Sequence, residues 1–545
     1  MKLRIYSSKS LMLCAAILAM STFMVSCVDN DDNNVTPTPP SDEYVLDVEE
    51  GMTLPVNAFL KVPAIDGDPK IIAALKAIDK VTDVMAFAKV VGYDYWKDKV
   101  ITKTAYFFNY KQDIDHNNPS KGWFKQQCVL TVEGQDRPTV LHTDGYALEG
   151  EKNQLDSISE PMLVSVLNAN CLQVEHRYHG WSLPEGYTNR WHYLSTKQQS
   201  DDLHAIVTTI KQSGIVGNGK WLSTGTSKDG ETTAYYAYHY PNDMDAYVPF
   251  CAPFLLQLED NRPYSHIITK EAFGDSEEKL NKVKAAFRAY AGNKTLQAQC
   301  VEIHKKENPN LTSTDEEIHL TLLYLLFENY YNKMSYVPYE KWENLIPAEG
   351  DSAQKFYNFI MTNSRTRYAE DTDSEYKRRQ DTTDDLEPTG NGKTTPYALR
   401  RAASVTRHDP YSVQTCIDLG GYGYVLTWVE DLLTSKEKTV ITNDINPATY
   451  GVTYDEGQFV KSFLDGMKQS NCHMMFVYGM QDPWTGAQIP DDKMGTNIRK
   501  LFIQHTDNPE RKSAGLHNDN IDQWNPSERG ELFKWLNQLG FIPNE

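Results

Sequence analysis

A hydroxyl nucleophile is the first chemical feature that the sequence offers. Ser227 lies in the segment Gly225-Thr226-Ser227-Lys228-Asp229-Gly230, between a predicted strand over 220–224 and a predicted helix over 232–239. A sharp strand-to-helix turn of this kind, a nucleophile elbow, holds a serine in strained backbone geometry and presents its hydroxyl above a sheet. The usual pattern is G-x-S-x-G, and Asp229 stands where the second glycine is expected. The segment therefore predicts Ser227 as a nucleophile, and Asp229 leaves the competence of the elbow open.

A serine nucleophile needs a base, and the base needs an acid that orients it. Asp482 follows the apolar run 474–478, and His517 lies in the loop between the run 501–503 and the last predicted helix. This chain order of serine, acid and histidine is the one found in sheets that carry such an elbow. Competing loop or strand-end residues are His473, His505, Asp491, Asp492 and Asp507. Position relative to the predicted strands favours Asp482 and His517 as the acid and the base.

Two further roles follow from the same elements. The N–H of Lys228 would begin the helix after the elbow, where a developing oxyanion is stabilised. The turn at Gly145 and Tyr146 follows an early strand and offers a second N–H donor, with a plain β-turn as the alternative. Glu175 is a candidate for binding a substrate's N-terminal ammonium. Its alternative is a structural pairing with His176 or Arg177.

Strands and helices alternate along the first half of the chain and again near its end. Strands are predicted at 127–132, 139–141, 171–174, 220–224, 474–478 and 501–503, and helices at 198–210, 232–239, 275–290, 315–332 and from Pro526, with Asn525 as N-cap. Alternation of this kind is typical of a doubly wound sheet. The sequence therefore predicts an α/β-hydrolase fold with an inserted, mainly helical cap domain.

The predicted organisation has five parts. They are a lipoprotein signal peptide (1–26), a lipidated tether (27–45), the N-terminal part of the core (46–260), the cap (261–403) and the C-terminal part of the core (404–545). Cys27 ends a basic and then apolar leader that is too short to span a bilayer, and it precedes several acidic residues. This pattern resembles a bacterial lipobox. It implies acylation of Cys27 and anchoring to a Gram-negative outer membrane, and the acidic residues after Cys27 resemble an export signal for surface exposure. An ordinary secretory signal is the alternative.

Charge and cysteine content narrow the function classes. The formal net charge of −20 argues against nucleic acid and against anionic headgroups as partners. Six cysteines beyond the leader permit up to three disulfides, although Cys171 and Cys472 lie in apolar runs that are typical of buried thiols. The spacing of cysteine and histidine indicates no metal site, and the predicted chemistry needs no metal or organic cofactor.

Several separated blocks resemble one known family. They are 137–146, 174–178, 221–228, 240–245 with 252–253, and 477–484, the most specific being Glu175-His176-Arg177-Tyr178 and the Ser-Lys pair after Gly225. The chain resembles the secreted prolyl tri- and tetrapeptidyl aminopeptidases, serine peptidases related to the prolyl carboxypeptidases. The resemblance implies a triad of Ser227, Asp482 and His517, and release of short peptides after proline from free N-termini.

The expected function is therefore a serine aminopeptidase that acts on peptides through an acyl-enzyme. Two alternatives stay open. Asp229 motivates a catalytically inactive, peptide-binding surface lipoprotein with a relict hydrolase fold. An esterase is the second alternative, because the same triad also cleaves esters.

Overall fold

The computed structural model describes residues 64–94, 99–148, 160–184, 191–309, 312–362, 409–441, 445–504 and 513–542. The predicted signal peptide, the predicted tether and the predicted lipidation site Cys27 lie outside these ranges. None of the helices in the described ranges combines the length and the apolar character that crossing a bilayer requires.

One nine-stranded sheet organises the molecule. Its strands are β1 (Val81–Asp94), β2 (Lys99–Asp113), β3 (Trp123–Thr131), β4 (Thr139–Thr143), β5 (Asn170–Val174), β6 (Trp221–Thr226), β7 (Ala246–Phe250), β8 (Met474–Gly479) and β9 (Ile498–Ile503). They are ordered β1-β2-β3-β5-β4-β6-β7-β8-β9. The pairs from β1 to β5 are antiparallel, and all pairs from β5 through β4 to β9 are parallel.

Helices cover both faces of this sheet. The described α-helices are α1 (Pro69–Lys76), α2 (Met162–Leu167), α3 (Thr196–Ser213), α4 (Lys228–His239), α5 (Arg262–Ile267), α6 (Glu277–Ala291), α7 (Lys294–Glu307), α8 (Asp315–Tyr336), α9 (Tyr339–Trp342), α10 (Ala353–Met361), α11 (Asp409–Gln414), α12 (Ser435–Ile441), α13 (Gln458–Gln469) and α14 (Pro526–Gln538). Strands β5, β7 and β8 are buried along their whole length, as expected when helices cover both faces. The predicted α/β-hydrolase fold is confirmed.

A second apolar core forms the helical cap. Residues of α6, α8 and α10 such as Phe287, Tyr330 and Phe359 pack together there. Trp428 and Ile441 belong to the same core. Apolar side chains beyond Ala403, the predicted end of the cap, thus pack in the same core as the cap helices.

The six cysteines in the described ranges form no disulfide. Cys128, Cys171, Cys251, Cys300, Cys416 and Cys472 are all free and buried. The burial predicted for Cys171 and Cys472 is confirmed. These six residues form none of the three disulfides that their number permits.

Candidate active site

Ser227 lies at the sharp turn between β6 and α4. Its backbone has φ 65° and ψ −127°, a region that side chains other than glycine rarely occupy. Two backbone hydrogen bonds hold this geometry. The Ser227 N–H donates to the Phe250 carbonyl at 2.9 Å, and the Ser227 carbonyl accepts from the N–H of Glu231 at 2.9 Å. The strained turn predicted for a nucleophile elbow is therefore present.

Asp229 fits into the elbow because glycines surround it. A Cβ on Gly225 would lie 2.5 Å from the Asp229 Cβ, and one on Gly145 would collide with its carboxylate. The close approach of α4 to the neighbouring strand occurs one residue later, since a Cβ on Gly230 would lie 2.5 Å from the Phe250 carbonyl oxygen. The side chain of Asp229 is thus accommodated without loss of the turn.

His517 and Asp482 form a buried pair beside the elbow. Asp482 follows β8, is fully buried, and accepts a hydrogen bond from His517 Nδ1 at 2.8 Å. The same carboxylate accepts the N–H of Trp484 at 3.2 Å, which fixes its orientation. The other ring nitrogen of His517, Nε2, is buried and has no hydrogen-bond partner in the described part of the chain. This arrangement leaves one histidine nitrogen available to accept a proton.

The C-terminal end of cap helix α8 holds both loops of this pair. The His517 N–H donates to the Ser335 carbonyl at 2.9 Å, and the Tyr336 ring meets the His517 ring edge-on at 5.5 Å. Gln481, next to the acid, donates through Nε2 to the carbonyls of Met334 at 3.1 Å and Val337 at 2.8 Å. The cap therefore positions the base and the acid as well as covering the sheet.

Cys251 connects the elbow to the His517–Asp482 pair. It follows β7 directly after Phe250, the residue that accepts the Ser227 N–H, and its Sγ lies 3.8 Å from the Leu516 carbonyl oxygen. Its sulfur, an Asp482 oxygen and a His517 ring nitrogen lie within 4.8 Å of one another. Burial and the neighbouring Asp482 raise the pKa of the Cys251 thiol, which therefore stays protonated. These three atoms could ligate a metal ion. Without one, the Cys251 thiol lies against the carboxylate of Asp482. Sequence reasoning missed this residue, although its place after the strand between β6 and β8 was a usable signal.

The turn after β4 is held by the residues that follow the nucleophile. Lys228 Nζ donates to the Gly145 carbonyl at 2.5 Å, and Asp229 Oδ1 accepts the Gly145 N–H at 2.6 Å. The N–H of Gly145 is therefore engaged by the carboxylate of Asp229, which does not support its predicted role as an oxyanion donor. The Tyr146 N–H belongs to the same peptide unit as the Gly145 carbonyl, which accepts from Lys228 Nζ. This N–H donates to Asp144 Oδ1 at 3.1 Å. Tyr146 remains the candidate second donor, provided that a substrate oxyanion displaces Asp144.

The backbone N–H of Lys228 is the candidate first donor. It begins α4, so it has no acceptor within the helix, and no acceptor for it is recorded in the described ranges. The side chain of Lys228 is buried, and burial lowers the pKa of its amine to about 8.

Glu175 has a structural role, which corrects the prediction that it binds a substrate ammonium. Its carboxylate is fully buried and accepts from the N–H groups of Leu148, Trp181 and Ser182 and from the Ser182 hydroxyl, at 2.7–3.0 Å. The predicted alternative partner Arg177 pairs instead with Asp202 at 2.6 Å. With four donors around it, Glu175 fixes the loop that follows Tyr146.

Comparisons with known proteins agree with this geometry. A model of the PS-10 peptidase S37 family matches residues 73–304. Over this range the chain is similar to the peptidase S37 family. The prolyl tri/tetrapeptidyl aminopeptidase of Streptomyces mobaraensis is 25% identical over 464 residues, which cover 82% of this chain and 83% of that protein. These matches support a serine hydrolase and do not favour the alternative of an inactive binding protein.

Solved structures resemble the chain more weakly. The proline iminopeptidase of Mycobacterium smegmatis is 10% identical, with a TM-score of 0.34, over 76% of this chain and 95% of that one. The rice cell wall degrading esterase LipA from Xanthomonas oryzae is 9% identical, with a TM-score of 0.32, over 84% and 98% of the two chains. The fold assignment rests on the strand order and helix layers described above.

Proposed function

We propose that this protein is a serine aminopeptidase that releases tri- or tetrapeptides from free N-termini, cutting after proline. The observation that carries the proposal is the buried His517–Asp482 pair, which keeps Nε2 without a partner in the described ranges and is connected to the strained Ser227 elbow through Phe250 and Cys251. The likeness to the Streptomyces mobaraensis enzyme over most of both chains supports the peptide substrate and the proline preference.

In this mechanism Ser227 attacks the scissile carbonyl while His517 Nε2 takes the hydroxyl proton. Asp482 holds the imidazole in the tautomer with Nδ1 protonated and stabilises the imidazolium. The N–H groups of Lys228 and Tyr146 stabilise the tetrahedral oxyanion. His517 then protonates the leaving amine, and a water molecule, deprotonated by the same nitrogen, hydrolyses the acyl-enzyme. Every step uses groups of this chain and water.

The test combines active-site labelling with substrate comparison. A fluorophosphonate is expected to label the wild-type protein at Ser227, while Ser227→Ala, with its fold verified by circular dichroism, is expected to stay unlabelled. Ala-Ala-Pro anilide is expected to be cleaved faster than short acyl esters. Absence of labelling on the folded wild-type protein would contradict the mechanism. A preference for esters would favour an esterase.

We also propose that Cys27 carries the lipid anchor that holds the enzyme in the envelope of a Gram-negative bacterium. The basic leader, the apolar run and the small residue before Cys27 support this proposal. Metabolic labelling with an alkyne fatty acid is expected to tag the wild-type protein and not Cys27→Ser. Equal labelling of the two proteins, or none of the wild type, would contradict it.

A further inference from the structure

A small polar cavity lies beside the first two turns of α4, next to the nucleophile. It is lined by His176, Thr196, Gln199, Ser200, Lys228, Glu231, Thr232, Tyr235, Gln414 and Leu419. Gln199 Nε2, Tyr235 Oη and Gln414 Oε1 are buried polar atoms without a hydrogen-bond partner in the described ranges, and their residues are each 2% exposed. Buried polar atoms are normally satisfied, so these three indicate a polar group that the cavity is built to receive.

The charge around the cavity is out of balance. Glu231 is 3% exposed, and its carboxylate has no hydrogen bond or ion pair within the described ranges. Asp418 lies next to lining residue Leu419. Its Oδ2 accepts from the N–H and hydroxyl of Thr196, and its buried Oδ1 has no partner there. Lys228 supplies one positive charge, and its amine is turned toward Gly145. Glu231 in the cavity lining and the adjacent Asp418 are therefore two carboxyl groups near a single ammonium, and each keeps acceptor capacity for a further cation.

The titration behaviour of these groups agrees with that imbalance. Burial raises the pKa of Glu231 well above its usual value, and Lys228 only partly offsets this. Burial likewise raises the pKa of Asp418 to about 7, despite its bonds to Thr196. Burial and the positive charge of Lys228 hold the pKa of His176 well below its usual value, so His176 is neutral and does not supply the missing charge.

Aromatic side chains connect the cavity with the catalytic histidine. Tyr146 contacts Lys228 Nζ at 5.3 Å from its ring centre and the Tyr411 ring at 5.6 Å. Burial, with smaller contributions from Glu231 and Tyr336, raises the pKa of Tyr411, and the Tyr336 ring contacts the His517 ring. Glu231 lies four residues along α4 from Ser227, about 6 Å along the helix axis. Three extended residues reach about 10 Å, so the N-terminus of a tripeptide acyl group attached at Ser227 can reach this cavity.

We propose that Glu231 and Asp418 bind the free N-terminal ammonium of the peptide substrate, with Gln414 and Tyr235 as neutral partners. An ammonium group is about as large as a water molecule and donates three hydrogen bonds, which matches a small cavity rich in acceptors. The inference rests on the proposed aminopeptidase function and replaces Glu175 in that role.

Calorimetric binding tests the site without turnover. Ala-Ala-Pro amide and its N-acetyl counterpart are titrated into Ser227→Ala and into Ser227→Ala combined with Glu231→Gln or Asp418→Asn. We expect the free amine to bind Ser227→Ala more tightly, and each added substitution to weaken its binding by about 10- to 100-fold, as for loss of one charge-assisted contact. Binding of the acetylated peptide is expected to be unchanged. Glu437→Gln, which removes a buried cap carboxylate paired with Lys294, is the matched control and should leave both affinities unchanged.

Proton release supplies a second measurement on the same samples. A bound ammonium favours the charged forms of Glu231 and Asp418, so binding at pH 7 should release protons, seen as different heats in buffers of different ionisation enthalpy. The acetylated peptide should release none. Equal affinities for the free and acetylated peptides, no binding of either, or an equal loss of both in Glu231→Gln would overturn the ammonium site. Failure of the wild-type protein to react with a fluorophosphonate would instead contradict the catalytic mechanism, which these binding measurements do not need.

Discussion

Restoring the glycine of the usual elbow pattern is expected to harm this protein. In Asp229→Gly the Gly145 N–H loses a charged acceptor at 2.6 Å. A hydrogen bond to a charged group contributes about 1.5–3 kcal/mol, and a negative charge in the first turn of a helix adds about 0.3–1 kcal/mol. The side chain of Asp229 is only 17% exposed, so solvent screens these interactions weakly. We therefore expect a loss of about 2–4 kcal/mol in the free energy of unfolding.

Activity should fall with stability, because the same contact positions the oxyanion turn. Complete loss of one oxyanion donor lowers kcat by about 10²- to 10³-fold. A Tyr146 N–H that is only loosened should lower kcat by at least about 10-fold. The assay is hydrolysis of Ala-Ala-Pro anilide, with thermal unfolding measured on the same samples. Asp229→Asn keeps an oxygen acceptor for Gly145 and is expected to lose about half as much stability.

A matched control separates the turn from the helix. Glu278→Gly also removes a first-turn carboxylate and adds a glycine, in cap helix α6 and far in sequence from the elbow. It should reduce stability slightly and leave kcat unchanged. If Asp229→Gly is as active and as stable as the wild type, then Asp229 does not support the turn and the reasoning is refuted.

Four further outcomes are expected. Asp482→Asn should lower kcat by about 10³- to 10⁴-fold at nearly unchanged KM, since an amide can donate to His517 Nδ1 and stabilise the wrong tautomer; a loss below 10-fold would argue against Asp482 as the acid. Gln481→Leu leaves the Met334 and Val337 carbonyls without their donor, so it should destabilise the fold by about 1–3 kcal/mol for each carbonyl. It should also lower kcat. Unchanged kinetics would show that α8 does not position the His517–Asp482 pair. Glu175→Gln should destabilise by about 1.5–3 kcal/mol because its amide must face N–H donors, and a rise in KM alone would restore its substrate role. Burial lowers the pKa of His142, but Asp229, Asp144 and Asp519 outweigh this effect, so the pKa is raised. The stability difference between wild type and His142→Gln should therefore be largest below pH about 6.5 and shrink as the pH rises through the raised pKa. A pH-independent difference would contradict this.

Strand and helix positions near the site were predictable because they depend on local pattern. Strands β4, β5, β6 and β8 were predicted from their apolar residues, whereas the buried strand β7 was not. Helix α14 begins at Pro526 with the capping box of Asn525 and Glu528. The edge strand β1 and its neighbour β2 escaped sequence reasoning, since they mix lysines and aspartates with apolar residues. The packing of Trp428 with the cap helices could not be predicted either, because it depends on which core the ring joins.

The sequence by itself determined the doubly wound sheet, the elbow around Ser227, and the order in which the acid and base follow it. These features depend on local periodicity and on the ends of strands, which neighbouring residues specify. Only the tertiary structure decided what Asp229, Glu175 and Glu231 do. A carboxylate's role depends on which donors the fold brings to it: Asp229 meets Gly145, and Glu175 meets four donors. Glu231, four residues beyond Ser227, lines a cavity together with Gln199 and Gln414, and only the fold brings these distant segments of the chain together.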